Sequence, residues 1–389
     1  MSSANGPLRD APWAHARARA RALGHLLPAE DVDVAAADRR VVAGSISALV
    51  DLPGFDASAM DGWAVCGEGP WTVVGSVHAG EDIPEPMAAG TALLIATGAP
   101  VPRGSDGIVR TERGRVDGTT LSGDPTITDV RRAGQECRAG DVIAIPGTEL
   151  SPALLGLIAA TGHDGVRVTQ RPRVQLLVLG DELEQAGRPR VGRVRDALGP
   201  QVPAWLMRAG AEVVGRTPLR DAPDALSDAI AAACDSADLI VTTGGTAAGP
   251  RDYLRAAIRA TRGELVVDEV AVRPGHPMLL AMVGSTPLVA LPGNPQAAVV
   301  ALLTLGFPII DAMLGRPETA LARVPLGEDV PARPGPERLV AGVLLDGAFL
   351  AASHTGSAML RGLASSSGYA LLPAAGARAG ESVEWLALP

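Results

Sequence analysis

The chain contains no lysine, so all 34 of its Lys+Arg positions are arginine. This excludes lysine Schiff-base chemistry and any lysine-dependent grip on phosphate, and it leaves arginine as the only fixed side-chain cation. Cysteine is scarce: Cys66, Cys137 and Cys234 are the only three, odd in number and far apart. No disulfide framework and no cysteine-based metal spacing follows from them. No uninterrupted apolar run approaches the ~18 residues that a bilayer span needs. The N-terminal stretch HARARARALGHL alternates arginine with alanine and lacks the apolar core of a signal peptide. Positive charge is also in deficit: 43 Asp+Glu against 34 Lys+Arg give a net charge of −9. Such a chain is a poor non-specific binder of nucleic acid. The expectation is a cytoplasmic protein that takes neither nucleic acid nor membrane as a partner.

With 389 residues, the chain has room for two to four domains of about 100–200 residues each. Pro7 to Leu27 reads as a surface helix. From Val41 to Ala139 short β-branched runs are broken by glycine and proline, as in WTVVGSV and TALLIATGAPVP, which suggests a β-rich domain. Ser151-Pro152 then starts a helix over 151–161, with Ser as N-cap and Pro in the first turn. This helix is expected to pack with the N-terminal one, so that the β-rich part is an insertion. From Arg173 strands and helices alternate, beginning with the continuous apolar run VQLLVLGDEL, which suits a strand buried on both faces. The predicted fold class is α/β multidomain. A discontinuous N-terminal mixed domain (7–42 and 140–167) carries an inserted β-rich domain (43–139). A doubly wound α/β domain (168–317) and a small C-terminal β domain (318–389) follow.

In open parallel sheets ligands bind outside the carboxyl ends of the strands. Three strand-end turns are therefore candidate pocket walls: LGDEL, TTGGTAAG and LPGNP. Glycines let the backbone approach an anion, and free amides at a helix start favour negative charge. One such turn alone is as easily a plain βα connection. Three at corresponding strand ends favour a phosphate-bearing ligand. Their order matches neither GxGxxG nor a P-loop. Asp181, Glu182, Asp221 and Asp252 sit at or near the same rim. They suit either Mg²⁺ between carboxylates and substrate phosphates or the charge preference of helix N-termini.

Longer motifs carry a resemblance. PGFDASAMDGWAV (Pro53–Val65), ATGAPVPRGSDGIVRTE (Ala96–Glu112), RRAGQE, GDEL, TTGGTAAGPRDY, VRPGHP and LPGNP occur in this order. The chain resembles the molybdopterin molybdenumtransferase family, that is MoeA and the E domains of gephyrin and its plant counterpart. The resemblance runs from about residue 10 to the end and is dense to about residue 310. It implies insertion of molybdate into adenylylated molybdopterin with release of AMP, with Mg²⁺ or a similar divalent cation. It also implies a homodimer whose active cleft takes the α/β domain of one subunit and the β-rich domain of the other. A pterin-adenylylating protein and molybdoenzyme apo-proteins are the further partners implied.

Residue by residue, the resemblance places Asp61, Thr97, Glu182, Asp252 and Arg273 in catalysis. It places Arg131, Gly244, Gly245, Thr246, His276, Pro292, Gly293, Asn294 and Pro295 in substrate binding, with Glu136 nearby. Asp221 and Asp252 are the implied metal ligands. Asp61 has a second reading, as an aspartate holding its own Asp-Gly turn. Several positions depart from the family pattern. Arg273 and His276 stand where lysines are usual, Glu269 where some members carry lysine, and Ala297 where serine is frequent. RDALGP keeps Asp196 but loses a polar pair, and Ala364, with Arg361 close by, stands where an arginine is expected. Two rival functions follow: a non-catalytic pterin carrier, and a nucleotide hydrolase of the competence-damage type.

Overall fold

Arg173–Leu179, Leu239–Thr243 and Thr286–Leu291 bury nearly every residue they contain, as strands covered on both faces must. In the computed structural model, which describes residues 6–220, 222–246 and 253–389, they form the centre of a sheet. Its strands are β1 (Arg173–Leu179), β2 (Glu212–Leu219), β3 (Leu239–Thr243), β4 (Glu264–Arg273), β5 (Leu279–Val283) and β6 (Thr286–Leu291), in the order β2-β1-β3-β6-β5-β4. β1 runs parallel to β2 and β3, and β3 to β6, while β5 runs antiparallel to both its neighbours, β4 and β6. The chain leaves β1 for β2 on one side and returns across it to β3 on the other. The order of winding therefore reverses between β1 and β3, where such sheets open a crevice at their carboxyl ends.

Helices Leu198–Arg208, Pro223–Cys234, Tyr253–Ala260 and Pro295–Ala301 alternate with these strands, as the doubly wound pattern predicts. Leu177, Leu226, Ile230, Ile240, Leu254, Ile258 and Leu288 form one core between sheet and helices. Each such side chain is worth about 1.5–3 kcal/mol when fully buried. The helix after β6 runs on through a π turn at Leu302–Gly306 into Phe307–Leu314. The segment Pro295–Leu314 has the length and composition of a membrane span, yet 89% of its most apolar 18-residue stretch is buried inside the protein. It is a core helix of this chain, interrupted by Gln296, Thr304 and Asp311.

Contacts divide the chain into two compact units, Met1–Glu30 with Thr169–Pro389, and Asp31–Val168. The N-terminal segment differs from its expectation in two ways. Only Trp13–Arg21 is helical, because Leu8–Pro12 adds as a parallel strand to β4 and proline is tolerated only at a helix start. The helix then buries Trp13, Ala16 and Ala20, and Trp13 Nε1 donates to Thr304 Oγ1 at 2.9 Å. It packs on the long core helix. The C-terminal strands Ala322–Pro325, Glu337–Leu345, Ala348–Ala351, Gly368–Leu372 and Ser382–Ala387 bury their own core around Phe349 and Trp385. They continue the same sheet, since Val272 and Arg273 of β4 pair in parallel with Glu337 and Arg338.

The second unit holds the six-stranded sheet Gly107–Arg110, Gly62–Cys66, Thr91–Ile95, Trp71–Val77, Thr120–Ser122 and Arg115–Asp117, in that order. Its residues between Ala64 and Val130 pack into two adjoining cores. A separate core joins Val34, Val42 and Ile46 to Ala144, Ile158 and Val166. Ser151 caps the helix Pro152–Ala160, its hydroxyl accepting from Leu154 N at 3.3 Å, as its sequence predicts.

Candidate active site

β1, β3 and β6 are parallel neighbours, so their C-terminal turns reach one edge. Gly180 and Glu182 after β1, Gly244 after β3, and Gly293, Asn294 and Pro295 after β6 line two adjoining cavities there, of about 90 and about 520 Å³. Glycines of two of these turns approach neighbouring backbone or side-chain atoms closely. Gly244 has φ +81°, and a Cβ on it would sit 2.9 Å from the Leu179 carbonyl oxygen. Gly244 N donates to Leu291 O at 2.9 Å, tying the β3 turn to the end of β6. A Cβ on Gly180 (φ +140°) would meet Glu182 Oε2 at 2.9 Å. Glycine at these points keeps the backbone free to approach a ligand. Thr243 Oγ1, at the mouth of the larger cavity, is buried without a hydrogen-bond partner among the described residues. A buried hydroxyl left unpaired is costly, so a ligand oxygen there would relieve the cost.

Thr246 is buried, and its carbonyl accepts from Arg255 Nη1 at 3.2 Å. Arg255 is held in turn by Asp268 at 2.7 and 3.0 Å. Asp196 serves the framework. Its carboxylate accepts from Gly199 N at 2.7 Å at the start of Leu198–Arg208 and pairs with Arg216 at 2.9 Å.

A further cavity of about 560 Å³ lies where β4 meets the C-terminal strands. Arg273, Gly275, His276, Pro292 and Asn294 line it together with Arg333 and Arg338. Arg273, assigned to catalysis, and His276, assigned to substrate binding, thus share one cavity with the LPGNP turn. His276 Nε2 lies 3.1 Å from Asp10 Oδ1, a contact with the N-terminal strand that no motif announces. Arg338 faces Arg273 through strand pairing. Burial, and then the charge of Arg333, hold the Arg338 guanidinium below its ordinary pKa. Its Nε is buried with no partner among the described residues. Glu328 and Asp329 line the same cavity, but Asp329 accepts from Ala379 N at 2.8 Å. None of the three arginines forms an ion pair among the described residues. An arginine-lined, concave site of this kind suits an oxyanion.

In the β-rich unit, Asp61 and Thr97 meet directly. Asp61 Oδ1 accepts from Thr97 N at 2.6 Å and from Thr97 Oγ1 at 2.9 Å. The backbone bond, then the hydroxyl bond, hold the exposed Asp61 carboxyl below its usual range. The carboxylate is thus occupied by Thr97, 36 residues away in sequence. Arg131 lies exposed on a short strand, paired across from Ala57 in the same signature loop. Around them Asp56 takes Arg132 at 2.6 Å and Ala133 N at 2.9 Å, and Arg110 holds the buried Asp129 at 2.6 and 2.7 Å. Glu136 is exposed, its main-chain N–H donating to Leu52 O. The two residues assigned to the metal, Asp221 and Asp252, lie outside the described residues. Among the described residues no group of three or more His, Cys, Asp or Glu could hold a metal ion.

Sequence reading missed Arg333 and Arg338. They belong to no motif, and only the pairing of β4 with Glu337–Leu345 brings them to Arg273.

An α/β module with glycine turns at its winding reversal, joined to a β-rich unit and a C-terminal β extension, is the class of ligand-binding protein this geometry defines. Three family models match it in chain order: "MoeA N-terminal region (domain I and II)" over residues 12–162, "Probable molybdopterin binding domain" over 175–312, and "MoeA C-terminal region (domain IV)" over 323–388. The molybdopterin molybdenumtransferase of Haemophilus influenzae is 31% identical over 302 residues, 74% of this chain and 73% of that protein. Molybdopterin molybdenumtransferase 2 of Mycobacterium tuberculosis is 34% identical over 298 residues, 72% of this chain and 73% of that one. The chain belongs to the MoeA family of molybdopterin molybdenumtransferases. The solved molybdopterin biosynthesis moeA protein of Pyrococcus horikoshii OT3 shares the fold, with a TM-score of 0.81 over 97% of this chain and 100% of that one, at 20% identity.

Proposed function

We propose that the protein is a molybdopterin molybdenumtransferase of molybdenum cofactor biosynthesis, inserting molybdate into adenylylated molybdopterin with release of AMP. The observation that carries this reading is the pair of neighbouring cavities in one unit. A rim of glycine turns at the ends of β1, β3 and β6 suits a phosphate-bearing pterin, and an arginine-lined cavity beside the LPGNP turn suits a tetrahedral dianion. Asn294 borders both. Gly244 and Gly245 leave backbone open to the phosphates. Arg273 supplies charge and hydrogen-bond donors to the oxyanion, as Arg does for planar or tetrahedral anions. Asp61, held by Thr97, stays ionised and is poised to orient substrate or water.

A divalent cation is part of the reading. The donor chemistry fits a hard ion such as Mg²⁺, because Glu182 offers carboxylate oxygen at the glycine rim, and Mg²⁺ takes one or two carboxylates plus substrate phosphates. Glu182 would hold it, with Asp221 and Asp252 as the ligands implied by family resemblance. When bound, the ion neutralises charge on the departing AMP. A homodimer and a cytoplasmic location belong to the same proposal, as do a pterin-adenylylating protein and apo-enzymes as partners. A finer division into the four domains expected from sequence is also proposed.

The test is purified protein given adenylylated molybdopterin, Mg²⁺ and molybdate. AMP release that needs both ions supports the transferase. Pterin binding without AMP release identifies a carrier, and hydrolysis of nucleotides lacking a pterin identifies a hydrolase. Light scattering that reports a monomer would remove the dimer.

A further inference from the structure

The segment 353–360 walls both cavities. Thr355, Gly356 and Ser357 line the arginine-lined cavity, and Ala358 and Leu360 line the strand-end cavity. It comes from the C-terminal strands, yet it is fastened to the residue just after the LPGNP turn. Gln296 is 1% exposed. Its Nε2 donates to His354 O at 3.2 Å and to Met359 O at 2.9 Å, one bond near each end of the segment. Its main-chain N donates to Ser357 O at 3.0 Å, in the middle. Three bonds from one residue thus grip a segment about 60 positions away.

A fully buried amide is expensive unless paired, and so are the two carbonyls it meets. A valine or methionine would fill the same apolar helix turn without that cost. The side chain therefore does something packing alone does not require. The segment itself has little else to fix it. His354 adopts a left-handed backbone at φ +60°, and only Leu360–Ala364 is helical.

We infer that Gln296 is a positioning residue that sets the partition between the two cavities, and through it the fit of oxyanion and pterin to each other. This rests on the proposed function for the identity of the ligands, but the grip itself is independent of it. Gln296 touches neither ligand. It holds Ser357 and Leu360 at one distance from Asn294, so that both cavities keep their shape together.

The test compares wild type with Gln296→Met, which keeps length and removes both donors, and with Gln296→Asn, which keeps the amide and shortens its reach. The expected result for Gln296→Met is a rise in KM for molybdate of about tenfold, the worth of one to two net hydrogen bonds. The kcat at saturating molybdate changes less. Hydrogen exchange becomes faster within 353–360 and stays as in wild type across β1 and β3. Gln296→Asn falls between, which also covers a Gln296→Met protein that does not fold. A lowered melting temperature with KM and local exchange unchanged in the folded fraction would overturn the inference, leaving Gln296 a stability residue. If wild type releases no AMP, the proposed function falls and the grip is judged on exchange and on calorimetric binding of molybdate alone. Faster exchange with weaker binding in the variant then supports it, and no change in either overturns it.

Discussion

The strand-end cavity is framed by three glycine-bearing turns at neighbouring strand ends, whereas the arginine-lined cavity gathers cationic side chains from distant strands. The first depends on Gly180, Gly244 and Gly293, whose turns follow directly from three parallel strands. The second depends on Arg273, Arg333 and Arg338, drawn from β4 and from the C-terminal strands. The family departures touch both. The glycines of the strand-end turns are kept, but alanine stands in GGTAAG where the family often has serine, and RDALGP, whose Asp196, Ala197 and Leu198 line the strand-end cavity, loses a polar pair. The positions around the second cavity exchange lysines for Arg273 and His276, and a serine for Ala297. Gly180 and Gly244 tolerate few changes because each fills a backbone conformation that side chains rarely adopt. A side-chain-built cavity can recover lost charge from elsewhere, and here Arg338, paired with Arg273, stands in the place to supply it.

The largest effect is expected from Gly244→Ala. The new methyl would meet the Leu179 carbonyl at 2.9 Å with the backbone at φ +81°, a strain of about 1–3 kcal/mol before any clash is counted. Thermal melts should show a clear loss of stability, and AMP release should fall steeply even in the folded fraction. Full stability with full activity would show that the rim is not built as described.

Arg338→Met should act more narrowly. It removes a guanidinium that lacks an ion-pair partner among the described residues but donates from Nη2 to Pro331 O at 2.8 Å, so folding should lose about one hydrogen bond, ~1 kcal/mol. A charged hydrogen bond to an oxyanion is worth about 1.5–3 kcal/mol, which predicts molybdate binding weaker by roughly tenfold to a hundredfold. Pterin binding should not change. Isothermal calorimetry with each ligand separates the two cavities. Equal losses for both ligands would erase the contrast between them.

Thr97→Val should have the smallest effect, seen as a shift with pH. The Asp61 carboxyl lies below its usual range because of the Thr97 backbone bond first and the hydroxyl bond second. A carboxyl with a lowered folded-state pKa contributes stability above its unfolded pKa and loses it as pH falls through the folded value. The valine removes only the second bond. The acid limb of the AMP-release profile should therefore move modestly to higher pH. An unmoved limb would mean that Asp61 does not govern it.

How much was legible beforehand follows the same contrast. Gly244 and Gly245 announce themselves because a left-handed turn after a buried strand is a local requirement, and apolar runs such as Leu239–Thr243 carry the strand itself. Ser151 is legible for the same reason, as a cap bonded three residues on. Arg333 and Arg338 are not legible, because nothing local distinguishes them and a parallel pairing across the C-terminal strands delivers them. The contact of His276 with Asp10 spans 266 residues, and the strand Leu8–Pro12 reads as helix until the edge of β4 is available to receive it. Local conformational demands are written in short stretches, whereas side-chain sites assembled by distant pairing are not.

The most direct measurement is AMP release from adenylylated molybdopterin by the purified wild-type protein, with and without molybdate and Mg²⁺. The account predicts release that requires both, with molybdenum retained on the pterin product. Stable binding of the adenylylated pterin, with no AMP formed under any combination of ions, would contradict it.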